Sequence, residues 1–104
     1  MKHEVVLLRS AEDDIFFHFT QYEDQSEGRG FRFDADLEAA KDLLADFPQI
    51  GSRFLGEVRK YLLLRWNLGV FYHVVGRRVI ISAVLDLRQD PGRLLQILRS
   101  RQPI

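Results

Sequence analysis

The first half of the chain carries hydrophobic residues at helical spacing, and the second half carries them in strand-like runs. A short apolar run predicts a buried strand over residues 2–8. Two apolar stripes then predict a first helix over residues 11–26 and a second helix that Pro48 ends, because the residue before a proline avoids the helical region. Together the helices predict an antiparallel hairpin around Gly28-Arg29-Gly30. The stripe positions are Ile15, Phe16, Phe19 and Tyr22 in the first helix, and Phe33, Leu37, Ala40, Leu44 and Phe47 in the second.

The start of the first helix has the polar residues of a helix cap. Ser10 comes first and is the predicted N-cap, and Glu12, Asp13 and Asp14 follow in the first turn. Negative charge in a first turn suits the helix dipole. Asp13 and Asp14 are therefore interpreted as helix-start charges rather than as a carboxylate pair, since neighbouring residues on a helix point apart.

The second half predicts three strands and a short last helix. A loop over residues 51–56 leads to strands over residues 58–65, 70–75 and 79–85, with a two-residue hairpin at Gly76-Arg77. Short turns between the strands make this meander antiparallel. Asp90 is the predicted N-cap of the last helix, and Pro91 is its first residue.

The predicted fold class is α+β, with the element order β-α-α-β-β-β-α. The helical hairpin packs on an antiparallel sheet, with the helices on one side. The chain has 104 residues, which corresponds to one domain spanning 1–104. The predicted core residues are Phe16, Phe19, Phe33, Leu37, Leu44, Tyr72 and Ile81. Trp66 lies at a turn, where a large aromatic side chain either packs over the core edge or is exposed for a partner.

The net charge of zero hides a strong charge separation along the chain. Residues 1–50 hold five Lys/Arg and twelve Asp/Glu, a net charge of −7. Residues 51–104 hold ten Lys/Arg and three Asp/Glu, a net charge of +7. A fold that keeps the halves on different faces presents a basic surface to an anionic or acidic partner.

Composition and spacing exclude several classes of site. Cysteine is absent, which excludes disulfides and fits a cytoplasmic protein. No apolar segment approaches the ~20 residues that span a bilayer, so no membrane partner is expected. The histidines, His3, His18 and His73, are far apart, and Gly28-Arg29-Gly30 lacks the pattern of a phosphate-binding loop. We therefore predict neither a metal site nor a cofactor.

Several runs of the chain, taken in order, resemble the RelE/ParE family of toxins from type II toxin–antitoxin systems. The likeness covers about residues 3–98, and the element order agrees with it. Ser10-Ala11-Glu12-Asp13 also resembles the family's entry into its first helix. The remaining runs are Phe47-Pro48-Gln49-Ile50-Gly51, Val58-Arg59, Gly69-Val70-Phe71-Tyr72-His73-Val74, Val79-Ile80, and Ala83-Val84-Leu85-Asp86-Leu87-Arg88-Gln89-Asp90-Pro91.

The resemblance implies a small cytoplasmic bacterial toxin that a cognate antitoxin neutralises by forming a hetero-oligomer. One branch of the family, of the ParE type, inhibits DNA gyrase by binding it. The other branch, of the RelE type, cleaves ribosome-bound mRNA with basic residues along two strands and a C-terminal tyrosine or similar acid/base group. An inactive member that serves as an interaction module is a third reading.

The sequence departs from the pattern of the cleaving branch. Leucines at positions 62–64 fill much of the strand that should be basic, and no tyrosine follows Tyr72. The resemblance therefore favours the ParE-like branch. The predicted antitoxin- or target-binding residues are Arg59, Lys60, Arg65, Trp66, Arg77 and Arg88. If the protein is a ribonuclease, the catalytic candidates are Arg59, Arg65, Tyr72, His73 and Arg88, because arginines stabilise a phosphorane-like charge and a proton donor or acceptor is still required.

Overall fold

The computed structural model describes residues 2–101 and contains five strands, three α-helices and one 3-10 turn. Its order confirms the predicted α+β class, with one strand added. None of its helices within this range is long and apolar enough to cross a membrane. The elements are β1 Glu4–Leu7, α1 Arg9–Gln25, α2 Arg29–Asp46, β2 Ser52–Leu55, β3 Val58–Leu63, the 3-10 turn Leu64–Trp66, β4 Leu68–Val75, β5 Arg78–Asp86 and α3 Pro91–Arg101.

The five strands form one mixed sheet in the order β1-β5-β4-β3-β2. The predicted antiparallel meander is present as β3-β4-β5. The sheet as a whole is not antiparallel, because β1 pairs parallel with β5 after the chain crosses over through the helical hairpin. The predicted loop over residues 51–56 also contains β2, which turns back at Gly56 (φ 55°) to pair with β3.

The helices cover both faces of the sheet, which corrects the expectation that they lie on one side. α1 and α2 pack on the face that carries Val70, Tyr72 and Ile81. α3 packs through Leu94 and Leu98 on the opposite face, against Phe71, Ala83 and Leu85. The reason is the alternation of side chains along a strand: β4 and β5 are apolar at both phases, so each face needs a cover.

Two details of α1 differ from the sequence prediction. Phe16, a predicted core residue, is 72% exposed, and Ile15 and Phe19 fill the stripe without it. The residue before the helix is Leu8, not Ser10, and Leu8 offers no side-chain cap. Ser10 lies inside the first turn, where its hydroxyl donates a hydrogen bond to Ser82 O at 2.7 Å.

α1 also closes the edge of β5 that β1 leaves open. β1 pairs only as far as Ile81, so the backbone of Ser82 and Val84 needs other partners. Ser10, Asp14 and His18 project from successive turns of α1 towards this edge. Asp14 Oδ2 accepts from the Val84 amide at 3.0 Å, and His18 Nε2 donates to the Val84 carbonyl at 2.7 Å. Three helix side chains thus take the place of a neighbouring strand.

Candidate functional site

Arg59 and Lys60 are adjacent in β3 and therefore point to opposite faces of the sheet. Arg59 Nη1 donates to Gly51 O at 2.7 Å and to Gln49 O at 3.1 Å, so its guanidinium fixes the loop between α2 and β2. The Lys60 ammonium lies 5.3 Å from the centre of the Phe54 ring on the α3 side. The two cations therefore belong to different surfaces.

Arg65 and Arg88 lie at the end of the sheet where β3 and β5 finish. Arg65 Nε is 3.8 Å from Asp36 Oδ2, and both groups are exposed, so this pair is weak. Arg88 Nε and Nη2 bind both oxygens of Asp86 at 3.0 and 2.8 Å. This bidentate contact with Arg88 lowers the pKa of Asp86. Both guanidiniums remain accessible from solvent.

Arg77 is separated from this end by the length of the sheet. It lies in the β4-β5 turn after Gly76, whose φ of 57° forms the predicted hairpin. The strands bring Leu68 beside Asp86 at one end and Val75 beside Arg78 at the other. The structure therefore brings Arg65 and Arg88 to the same end and leaves Arg77 at the other.

Sequence reasoning missed Arg29, which joins the end that carries Arg65 and Arg88. Its guanidinium carbon lies 5.1 Å from the centre of the Trp66 ring and 5.4 Å from that of Tyr22. Such cation–π contacts are favourable where water is partly excluded. Its Nε is buried without a hydrogen-bond partner. The only sequence signal was its place between two glycines, which indicates a turn and nothing about aromatic neighbours.

Trp66 is a core residue of this chain. It is 5% exposed, and its Nε1–H donates to Asp36 Oδ2 at 2.8 Å. Its ring lies 4.6 Å from Tyr22 and 5.7 Å from Phe33, centre to centre. The sequence left two alternatives for Trp66, packing over the core edge or exposure to a partner. The structure shows the first. A direct contact between Trp66 and a partner would require the end of the sheet to open.

Tyr72 and His73, the proton-transfer candidates, point to opposite faces of β4. Tyr72 is fully buried, and its hydroxyl oxygen accepts a hydrogen bond from the Gly51 amide at 2.9 Å. Burial raises the pKa of Tyr72. His73 is half-buried on the other face. The hydroxyl of Tyr72 has a structural partner and no exposed surface from which to reach a substrate.

Tyr72→Phe is expected to lower the free energy of unfolding by about 1–2 kcal/mol, because the buried Gly51 amide loses its acceptor. Because the pKa of Tyr72 is raised in the folded state, its contribution is complete below pH 10 and is lost as the pH rises further. Urea titrations at pH 7 and above pH 10 measure both effects. Tyr61→Phe is the control, since Tyr61 is only half-buried. Equal losses in the two variants would contradict this role.

The comparison with family models assigns the chain to one family. Residues 5–91 match the family model described as "ParE toxin of type II toxin-antitoxin system, parDE". Among solved structures, the chain is similar to one in "Chromosomal ParDE TA system from P. aeruginosa", with a TM-score of 0.74 and 16% sequence identity over 84% of this chain and 98% of that one. At this identity the structural likeness concerns the fold. No curated protein sequence matches the chain.

Proposed function

Because the chain belongs to the ParE toxin family of type II toxin–antitoxin systems, we propose that it inhibits DNA gyrase by binding the enzyme and that a cognate antitoxin neutralises it in the cytoplasm. The observation that carries this proposal over mRNA cleavage is the state of Tyr72. A general acid or base must reach the proton that it transfers. The Tyr72 hydroxyl is buried and binds the Gly51 amide, and exposed leucines stand at position 62 of the neighbouring strand and at position 64 just after it.

The proposed target-binding residues are Arg65 and Arg88. Arg59 and Lys60, which lie on opposite faces of β3, are secondary candidates. Arg65 and Arg88 share one end of the sheet, and their side chains are 67% and 70% exposed. The bidentate contact with Asp86 holds the planar group of Arg88 in place for a second carboxylate, and Arg65 makes the weaker contact with Asp36. The aromatic contacts of Arg29 stiffen the same end. A rigid basic end of this kind is suited to an acidic surface of an enzyme.

Purified gyrase is expected to lose supercoiling activity when this protein is added. The double variant Arg65→Glu/Arg88→Glu should raise the concentration for half-inhibition by about tenfold or more, because like charges then replace complementary ones. Arg32→Glu makes the same charge reversal as each of the two substitutions, on the exposed surface of α2, and serves as the control for the single variants. Full supercoiling in the presence of excess folded protein would refute gyrase as the target.

Two further assays separate the other readings. Cleavage of mRNA in a translating extract, abolished by Arg88→Ala, would assign the protein to the ribonuclease branch. Induction of the protein alone in bacteria tests for any toxicity. Growth arrest that the product of the neighbouring reading frame relieves supports a toxin, and harmless soluble expression supports an interaction module.

A further inference from the structure

Arg29 carries a charge that no carboxylate within residues 2–101 neutralises. Its guanidinium contacts the Trp66 and Tyr22 rings, 5.1 and 5.4 Å from their centres, and makes no hydrogen bond or ion pair in this range. A buried donor without an acceptor, such as its Nε, costs free energy. Arg29 is also the first residue of α2, where the helix dipole disfavours a cation. Stability of the free protein therefore does not explain the charge at this position.

The backbone on both sides of Arg29 is fixed. Glu23 Oε2 accepts from the Gly28 amide at 3.0 Å, and Oε1 accepts from the Gly30 amide at 2.8 Å. Gly30 packs so closely on α1 that an added Cβ would lie 2.8 Å from the Phe19 carbonyl oxygen. The Glu23 carboxylate thus holds the turn and forms no pair with Arg29. A side chain on a fixed backbone, with two rings beneath it, loses little freedom when it binds a partner.

The Tyr22 hydroxyl belongs to the same site, and in the described part of the chain it too has no hydrogen-bond partner. Burial raises the pKa of Tyr22, the charge of Asp86 raises it further, and the charges of Arg88 and Arg29 lower it. These charged groups therefore surround the hydroxyl, which stays protonated at neutral pH and can donate. Asp86 gives its two oxygens to Arg88 at 3.0 and 2.8 Å. Donors thus outnumber acceptors at this point.

The charges at this end of the sheet favour a single carboxylate over a polyanion. Arg29, Arg65 and Arg88 stand beside two carboxylates, Asp36 and Asp86, which leaves a net charge of +1. A nucleic-acid strand would bring several phosphates against both aspartates, whereas nucleic-acid sites are strongly basic. A carboxylate brings one charge, and its two oxygens match the fork of a guanidinium.

We propose that Arg29, Tyr22 and Arg88 form a receptor for one acidic side chain of gyrase, and that Arg29 is the specificity-determining residue of the basic end. This role rests on the proposed function. The carboxylate accepts from the Arg29 Nη groups and from the Tyr22 hydroxyl, and Arg88 contributes from the side. The aromatic rings exclude part of the water, which strengthens such charge-assisted hydrogen bonds. Arginine and tyrosine on an aromatic support are the residue types of interface hot spots.

Arg29→Met tests the receptor, with supercoiling by purified gyrase as the assay. Methionine keeps an unbranched apolar stem on the two rings and removes the charge, so the concentration for half-inhibition should rise by about thirtyfold or more. The urea midpoint should stay the same or rise, because an unsatisfied N–H and a cation at a helix N-terminus are both removed. Arg29→Lys keeps the charge without the planar fork and should fall between the wild type and Arg29→Met.

Tyr22→Phe tests the hydroxyl alone. Because this hydroxyl has no partner in the described residues, the urea midpoint should not change, whereas the concentration for half-inhibition should rise by about threefold or more. Arg99→Met is the matched control for Arg29→Met. Arg99 is exposed on α3, on the other face of the sheet, and its replacement should change half-inhibition by less than about twofold.

The outcomes separate this inference from the proposed function. If the wild-type protein leaves supercoiling unchanged, the proposed function fails and the inference fails with it. If the wild type inhibits and Arg29→Met inhibits equally well, only the inference fails. A lower urea midpoint, with inhibition reduced only in proportion to the folded fraction, would make Arg29 a structural residue and overturn the receptor. Binding of a short double-stranded DNA that Arg29→Met abolishes would assign the site to phosphates instead of a carboxylate.

Discussion

Trp66→Ala is expected to lower the free energy of unfolding by about 3–5 kcal/mol, as for other buried large-to-alanine changes. Trp66 is 5% exposed and packs against Tyr22 and Phe33, so its removal opens a cavity under the end of the sheet. The change also removes one of the two rings that hold the Arg29 guanidinium. Since domains of this size have about 5–15 kcal/mol of stability in total, the variant should be close to unfolding.

Trp66→Phe separates the packing of the ring from its hydrogen bond. Phenylalanine keeps most of the apolar contact and loses the N–H that binds Asp36. Because the Asp36 side chain is 38% exposed, water can replace that donor, and a loss of only about 1 kcal/mol is expected. Denaturation is followed by circular dichroism, since Trp66 is the sole tryptophan of the chain and both variants lose its fluorescence.

The comparison of the two variants also tests the role of Trp66 in binding. If packing is its role, Trp66→Phe retains the proposed antitoxin binding and gyrase inhibition in full. A Trp66→Ala variant with wild-type stability and no partner binding would reverse this conclusion. Such a result would mean that the side chain leaves the core in the complex.

Elements with a strong hydrophobic period could be predicted from the sequence, and the short strand β2 could not. The spacing of Phe33, Leu37 and Leu44 leaves one interpretation, and all three are buried. β2 has four residues between Gly51 and Gly56, too few to show a period, and its pairing depends on β3. Phe16 and Phe17 are both exposed, because Ile15, Phe19 and Tyr22 form the stripe of α1 that packs on the core.

Hydrophobic periodicity could not predict on which side of the sheet α3 packs. Leu94 and Leu98 give the helix an apolar face, but nothing in that face says which side of the sheet receives it. β4 is apolar at both phases, with Tyr72 on one side and Phe71 on the other. Only the three-dimensional arrangement of α1 and α2 leaves the Phe71 side free.

The candidate site was predictable as a set of residue types and not as a surface. The bias towards arginine in the second half is visible in the sequence, whereas the partners of each arginine come from remote segments. Arg65 meets Asp36 of α2, and Arg29 of the acidic half joins the aromatic rings. The pairing of β2 with β3 ends at Lys60, which the sequence does not show. The leucines that follow show only that this stretch is apolar.

Asp14→Ala is expected to lower the free energy of unfolding by about 3–5 kcal/mol, because it breaks a largely buried ion pair and leaves a buried amide without an acceptor. Asp14 Oδ2 lies 2.6 Å from Arg101 Nη1, and Oδ1 lies 3.1 Å from Nη2. The side chains of Asp14 and Arg101 are 15% and 23% exposed. The same carboxylate accepts from the Val84 amide. One side chain therefore joins α1, α3 and the edge of β5.

A graded series of variants divides this loss into its parts. Asp14→Asn keeps an oxygen for the Val84 amide and loses the charge, so it should cost less than Asp14→Ala. Arg101→Ala removes the ion pair and keeps the Val84 contact, so it should also fall between the wild type and Asp14→Ala. Asp13→Ala is the matched control, because Asp13 is exposed one residue away. Urea titrations give the free energies, and amide exchange at Val84 reports the edge directly.

The series decides whether Asp14 acts through the fold or only as a helix-start charge. A helix-start charge contributes about 0.3–1 kcal/mol and is screened by salt. Under that interpretation Asp13→Ala and Asp14→Ala would have equal small effects that disappear at 1 M NaCl. A loss that is larger at Asp14, persists in salt and speeds exchange at Val84 means that the carboxylate completes the sheet edge. In that case α3 is held to the rest of the protein by a charge in the acidic half, and the separation of charge along the sequence stabilises the fold as well as its surface.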